Sequence, residues 1–524
     1  MLRVNEFEQA VAVRTLDFLS ETTPWHRRLW SIGTVLGLRE ILEGCEAVQS
    51  SVLSRRAFGG LCLSVERGAV EDLGVGGREQ RRLLQDALRS APRVGDLNYR
   101  KLRLILDEVE ANYLTRWADA FESGTATATS ERAARALAGH LLDAGYSARF
   151  LYGWVSNLAF KDRDTRSLAD ILREAGVLCS KHPRVFEVLL ALRNPPGPPR
   201  AVPTGWLSGK GVIEWLRAEG HRTSNLRVGG GILVQISARD AWVALQKAIQ
   251  RAQSIAARVL IGAKTKLRFV ETAWIKGISK PYELRMDRRG VEVTTLVRES
   301  KMYTEPESTS VENALDLLGP LDGDPPGPAI ASGWAAVEAL LTAPGDEDRG
   351  TAGDRLASLV ACSFPRAELT MLAYNQAGSG PDPLTTRIAR AGSNLEKCTL
   401  LADGIKSGAG LTLSSPSDKL ALSRMRELLH EPHAVMSRVY QRAAEALRRL
   451  YRHRNLVLHW GRMDAVGLPA ALRTAAPLVG AGVDRIAHGW FTAKTEPLDL
   501  AAKAAIGLEL VGMPGGRDPL QLLE

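Results

Sequence analysis

The sequence predicts a mostly α-helical protein with a small α+β module at its centre. Three observations carry that expectation. Apolar residues recur at three- and four-residue spacing across both ends of the chain, short β-branched runs fall between residues 205 and 305, and two proline clusters separate these regions.

Taken in order, KLRLILDEVEANYLTRWADAFE and SLADILREAGVLCSKHPRVFEVLLALR read as amphipathic helices and place a helical domain over residues 1–192. RNPPGPPRAVPTGW, residues 193–206, reads as a semi-rigid linker, because proline removes a backbone donor and fixes φ. In the 205–305 module, ILVQIS, RVLIGA and GVEVTTLVRE are expected as strands around one helix, ARDAWVALQKAIQRAQSIAAR. GPLDGDPPGPAIASG, residues 319–333, is a second expected linker. The helical period then returns in GWAAVEALL, in DRLASLVACSF and from Val435 to Trp460, giving a helical domain over 328–490 and a tail over 491–524.

With 524 residues, 45% of them hydrophobic and 24% charged, the chain lies far from the composition of disordered proteins and is long enough for several cores. The net charge of +9 favours an anionic partner, although arginine-rich composition throughout reads equally as codon bias. Five scattered cysteines (45, 62, 179, 362 and 398) suggest neither a disulfide framework nor a thiolate metal site and fit a reducing cytoplasm. Acidic residues interrupt the apolar pattern of MLRVNEFEQAVAVRTLDFL, against a signal peptide, and no run of about 18 apolar residues suggests a membrane span.

Several motifs fall short of chemistry. GWLSGKG lacks the spacing and the Ser/Thr of a phosphate-cradling loop, and the glycines of RVGGGILV lead into a strand rather than a helix. His430 and His433 flank Pro432, which is better placed to start a helix than to hold a metal. Neither a metal nor another cofactor is implied.

RRLYRHRNLVLHWGR, Arg448–Arg462, is different. At about 100° per residue, Met436, Tyr440, Ala443, Leu447, Leu450 and Leu458 share one stripe, and Arg454 lies on it. A guanidinium on an apolar stripe requires a carboxylate partner or a ligand phosphate. Arg448, Asn455, His459 and, further round, Arg452 lie on the flank. Arginine holds phosphate bidentately, histidine transfers protons near neutrality, and an amide orients either group. The same residues also read as the solvated face of an arginine-rich helix.

R-N-L-V-L-H, Arg454–His459, resembles the R-N-x-x-x-H signature of the HEPN superfamily, helical domains with many RNA-cleaving members. Upstream, GWAAVEALL and DRLASLVACSF resemble the early helices of Apea-like, defence-associated HEPN proteins, with Trp334 and Glu338 one turn apart. The resemblance implies a C-terminal HEPN-like helical bundle over about a third of the chain. It implies a homodimer whose signature helices meet, and metal-independent RNA cleavage leaving a 2′,3′-cyclic phosphate. Arg454 would bind phosphate, Asn455 orient, His459 act as acid or base, and Glu338 pair with Arg454; Arg452 is the alternative catalytic arginine. Arg448, Arg452 and Arg462 are expected to contact RNA. So are Lys264, Lys266 and Arg268, in a basic segment interleaved with Phe269 and Trp274. Residues 1–305 would sense a trigger, regulate or recruit substrate for a cytoplasmic, toxin-like or defence effector. The alternative is a catalytically silent HEPN scaffold that dimerises and binds RNA, a nucleotide or a partner protein.

Overall fold

The computed structural model describes residues 6–125, 127–160, 166–195, 203–224, 226–377 and 382–524. It is mostly α-helical, with one small five-stranded antiparallel sheet. Residues 196–202 of the first expected linker lie outside the described residues.

The chain divides into two compact units. The larger comprises Met1–Asp143, Val155–Gly176 and Arg289–Glu524; the smaller comprises Ala144–Trp154 and Val177–Arg288. This division departs from the boundaries read off the sequence. Helices from residues 1–143 share a core with the C-terminal helices, and the expected tail joins them: Leu500, Ala501, Ala504, Leu520, Leu522 and Leu523 are buried. Helical periodicity reports which face of each helix is apolar, not which distant helix covers it.

In the larger unit, helix Thr351–Ala377 runs through the core and packs against helices Pro432–Trp460, Leu468–Ala493 and Pro497–Leu510. It is apolar nearly all round, as a central helix must be. Among the described residues it is the helix long and apolar enough to cross a membrane, and 72% of that apolar window is buried inside the protein. Helix Glu6–Leu19 packs on Pro416–His430, and nearby Arg27 donates from Nε to Glu368 at 2.7 Å and from Nη1 to Asp418 at 2.8 Å. These buried pairs join sequence regions more than 340 residues apart.

The second expected linker is helical instead. Helix Ser310–Gly323 carries Pro320, and helix Pro326–Leu341 begins at a proline. Proline at a first helical turn removes no bond, since those N–H groups have no partner within the helix.

The smaller unit is built on β1 (Arg184–Leu192), β2 (Trp206–Ser208), β3 (Gly230–Ala238), β4 (Phe269–Ile275) and β5 (Tyr282–Glu283), in the order β2-β3-β1-β4-β5. Central β1 was expected as helix. Its apolar run reflects burial on both faces: Phe186, Val188 and Leu190 pack with Ala244, Leu245 and Ala248 of helix Ala241–Ala263, while Leu189 and Ala191 pack with Val212 and Leu216 of helix Gly209–Ala218. ILVQIS forms β3 as expected. RVLIGA instead completes helix Ala241–Ala263, and GVEVTTLVRE is irregular apart from a short helix at Thr295–Arg298.

Candidate active site

The signature helix runs from Pro432 to Trp460. Pro432 starts it, and Gly461 ends it in the left-handed conformation at φ 70°, where glycine carries no Cβ penalty; Arg462 N–H then donates to the Leu456 carbonyl at 3.0 Å. Met436, Ala443, Leu447 and Leu450 are fully buried and Tyr440 is half-buried. Leu458, expected on the same stripe, is 50% exposed. Its neighbours Leu456 and Val457 are buried, so near the helix end the covered face has turned away from Leu458.

Arg454 is half-buried rather than enclosed, its side chain 17% exposed. Its Nη1 donates to Asn455 Oδ1 at 3.0 Å and to His459 Nε2 at 2.9 Å. A guanidinium only donates, so in this contact Nε2 is the accepting nitrogen. Asn455 is buried and orients the arginine, while His459 is exposed in the last helical turn. Arg454 Nε and Nη2 make no hydrogen bond among the described residues. Glu338 Oε2 lies 4.0 Å from Nη2, an ion pair beyond hydrogen-bond reach, and Glu338 Oε1 lies 3.9 Å from Arg349 Nη1. Trp334 is fully buried and packs on Tyr451 with ring centroids 4.9 Å apart.

Buried arginines do occur on this helix, at other positions. Arg449 and Arg452 are 3% and 6% exposed and face Glu40 of helix Thr34–Gln49. Arg449 Nε lies 3.0 Å from Glu40 Oε1, His453 Nε2 lies 3.1 Å from the same oxygen, and Arg452 Nη2 lies 3.8 Å from Oε2. Burial raises the Glu40 pKa, but Arg449, His453 and Arg452 outweigh it and hold the carboxyl at about 2. Burial lowers His453 in spite of Glu40, and brings Arg452 down to about 10. Arg452 is therefore corrected from RNA contact or catalytic arginine to a buried partner of Glu40 on an N-terminal helix, while Arg448 and His459 of the same flank stay open to solvent. Arg448 is held bidentately by Asp354 at 2.7 and 2.8 Å, and Arg462 by Asp464 at 2.9 Å with Glu43 at 3.5 Å, so neither is a free phosphate donor.

Arg454, Asn455 and His459 line a cleft of about 1250 Å³. Its other walls come from the turn after helix Thr34–Gln49, the start of helix Arg55–Val70 and the segment Ser90–Val94, together with Arg349 and Tyr451. Four arginines, Arg55, Arg93, Arg349 and Arg454, line it, and no Asp or Glu does so among the described residues. Such a wall raises the local concentration of anions. Cys45 also lines the cleft, but burial pushes its thiol up to about 12, which leaves it protonated near neutrality. The sequence reading missed Arg55, Arg93, Arg349 and Tyr451: Tyr451 stood inside the quoted stretch without being given a role, Arg349 stands in no motif, and Arg55 and Arg93 enter only through the packing of residues 1–143 against the signature helix.

Lys264, Lys266 and Arg268 belong to the smaller unit, where all three are exposed and Lys264 ends helix Ala241–Ala263 at φ 54°. Trp274 is 6% exposed, packed inside that unit, and so offers no face for base stacking.

Beside the cleft, burial raises Glu43 to about 7, against the Val466 N–H and Arg462, which lower it. The folded carboxyl holds its proton more tightly than the unfolded one, near 4.5, so its contribution to stability is complete below pH 4.5 and is lost as pH rises through about 7. Glu43→Gln is expected to gain about 1–3 kcal/mol over wild type at pH 8 but not at pH 4. Urea unfolding at the two pH values measures it, and an equal effect at both refutes this assignment.

In comparisons with models of known protein families, with curated proteins and with solved structures, nothing matches the chain.

Proposed function

We propose that the protein is a metal-independent endoribonuclease of HEPN type, acting in the cytoplasm as a defence or toxin-like effector. The observation that carries this reading is the contact of Arg454 with both Asn455 and His459 in a cleft whose lining, among the described residues, holds four arginines and no Asp or Glu. In the reaction, the RNA 2′-oxygen attacks the adjacent phosphorus, the bond to the 5′-oxygen breaks, and a 2′,3′-cyclic phosphate and a 5′-hydroxyl form. The proton lost by the 2′-hydroxyl ends on the 5′-oxygen. Arg454 offers its unengaged Nε and Nη2 donors to the charge that builds on phosphorus. Bound phosphate competes for the guanidinium and frees His459 Nε2 to take or return the proton.

Purified protein incubated with total RNA in EDTA tests the reading. Cleavage leaving cyclic phosphate ends supports it; absence of cleavage with RNA bound favours the silent scaffold; activity abolished by EDTA favours metal-dependent hydrolysis.

The same reading carries a homodimer. Leu458, Met463 and Val466, 50%, 60% and 43% exposed, lie at and just after the end of the signature helix, and a second copy would dock there. Since Arg454 and His459 touch within one chain, each copy keeps its own pair. Mixing Arg454→Ala with His459→Ala protein is therefore expected to restore no cleavage; recovered activity in the mixture would mean that the pair forms between copies.

A further inference from the structure

Resting on the ribonuclease reading, we infer that the turns bearing Arg55 and Arg93 form a phosphate-holding subsite beside the reacting position, and that this subsite selects single-stranded RNA.

Both turns are built. The turn after helix Thr34–Gln49 holds Ser51 at φ 57°, with its N–H on the Val48 carbonyl, and leads through Ser54, the N-cap, into Arg55. The turn after helix Arg78–Arg89 holds Ala91 at φ 47°, with its N–H on the Leu88 carbonyl, and leads to Arg93. A non-glycine residue in this region is strained, and surrounding contacts must hold it there. Both strained residues line the cleft. Arg55 and Arg93 are exposed, and neither has a carboxylate within 4.0 Å of its guanidinium among the described residues. Three other arginines of the same unit are ion-paired: Arg448 with Asp354, Arg462 with Asp464 and Arg67 with Glu445. Arg93 also acts on Asp96, which its own N–H reaches at 2.9 Å; with Arg55, Arg349 and Arg454 in the same lining, the four cations suit a run of phosphates rather than a single anion.

Size and lining indicate the strand form. At about 1250 Å³ the cleft exceeds the roughly 300–1,000 Å³ that takes one drug-sized ligand, so more than one nucleotide fits. Tyr451, half-buried at the cleft, offers aromatic surface beside the cations, while Phe58 and Pro92 are buried behind the lining. Unstacked bases use such surface, whereas a duplex presents phosphates and 2′-hydroxyls across broad grooves and keeps its bases stacked inside.

The test uses full-length His459→Ala protein, a fluorescent single-stranded RNA and the corresponding duplex, with anisotropy read across a salt series. Adding Arg55→Ser and Arg93→Ser is expected to weaken single-strand binding at least tenfold and to lower the slope of log affinity on log salt by about 0.7 for each arginine. In the cleaving parent the same pair is expected to raise KM more than it lowers kcat. Unchanged affinity and slope, or equal binding of the duplex, overturns the inference while RNA cleavage by the parent still stands. Loss of binding in the double variant with no cleavage by the parent upholds the subsite and overturns the ribonuclease reading instead. A parent that binds no RNA at all overturns the subsite.

Discussion

On the proposed ribonuclease reading, His459→Ala is expected to lower kcat for RNA cleavage in EDTA by about 10²–10⁴-fold, the range ascribed to a positioned proton-transfer group. The fold is not at stake, because His459 is exposed in the last turn of its helix and its ring nitrogen meets only Arg454. Arg454→Ala falls comparably, since the charge that develops on phosphorus loses its donors. Arg454→Lys recovers little, because an ammonium cannot hold Asn455, His459 and a phosphate with one planar fork. The two groups act as one unit, so the double variant is expected to be scarcely worse than either single one. Initial rates on a fluorophore–quencher RNA, with circular dichroism of each variant, decide the matter. A His459→Ala protein as active as wild type ends the assignment.

The helical character of both ends was legible because apolar spacing of three and four residues is imposed by the helix itself. The long helix carrying Arg454 and His459 was also close to the surface of the sequence, but the expected partner of Arg454 was Glu338, and its contact with His459 was not expected. At five residues apart, an arginine's long arm can cross to an imidazole near a helix end marked by Gly461. What was not legible is long-range. Nothing local to Arg449, Arg452 or His453 names Glu40, which lies about 400 positions earlier yet turns their face from solvated to buried. For the same reason Arg55 and Arg93 carry no motif, and enter the site only because their turns close against the signature helix. In β1 the failure was of another kind. RVFEVLLAL is apolar on both faces because both are covered by helices, so it lost the alternation that marks a half-exposed strand and read as helix.

Glu40→Ala is expected to destabilise the larger unit by about 3–5 kcal/mol, the cost of removing one partner from a buried charged group. The variant leaves Arg449 and Arg452 enclosed with no carboxylate, where Arg449 Nη1 and Arg452 Nη2 already lack hydrogen-bond partners. The sign of the pH dependence follows from the carboxyl held at about 2 when folded against 4.5 when unfolded. The unfolded chain takes up that proton first, so the contribution is whole above pH 4.5 and is lost as pH falls towards 2; Glu40→Gln removes this component of the slope. His453, lowered by burial, adds a loss in the same direction beginning near its ordinary value of 6.5. A steric variant separates charge from packing. A Cβ at Gly467 would meet Glu40 Oε1 at 2.1 Å and His453 Nε2 at 2.6 Å, while the backbone there, at φ −96°, accepts alanine without strain. Gly467→Ala should therefore destabilise by displacing Glu40 while keeping its charge, and should lower kcat because Asn455 and Arg454 ride on the helix that Glu40 holds. Urea unfolding and cleavage rates on the three variants test this. If Glu40→Ala unfolds at the wild-type urea midpoint, the buried cluster does not anchor the signature helix.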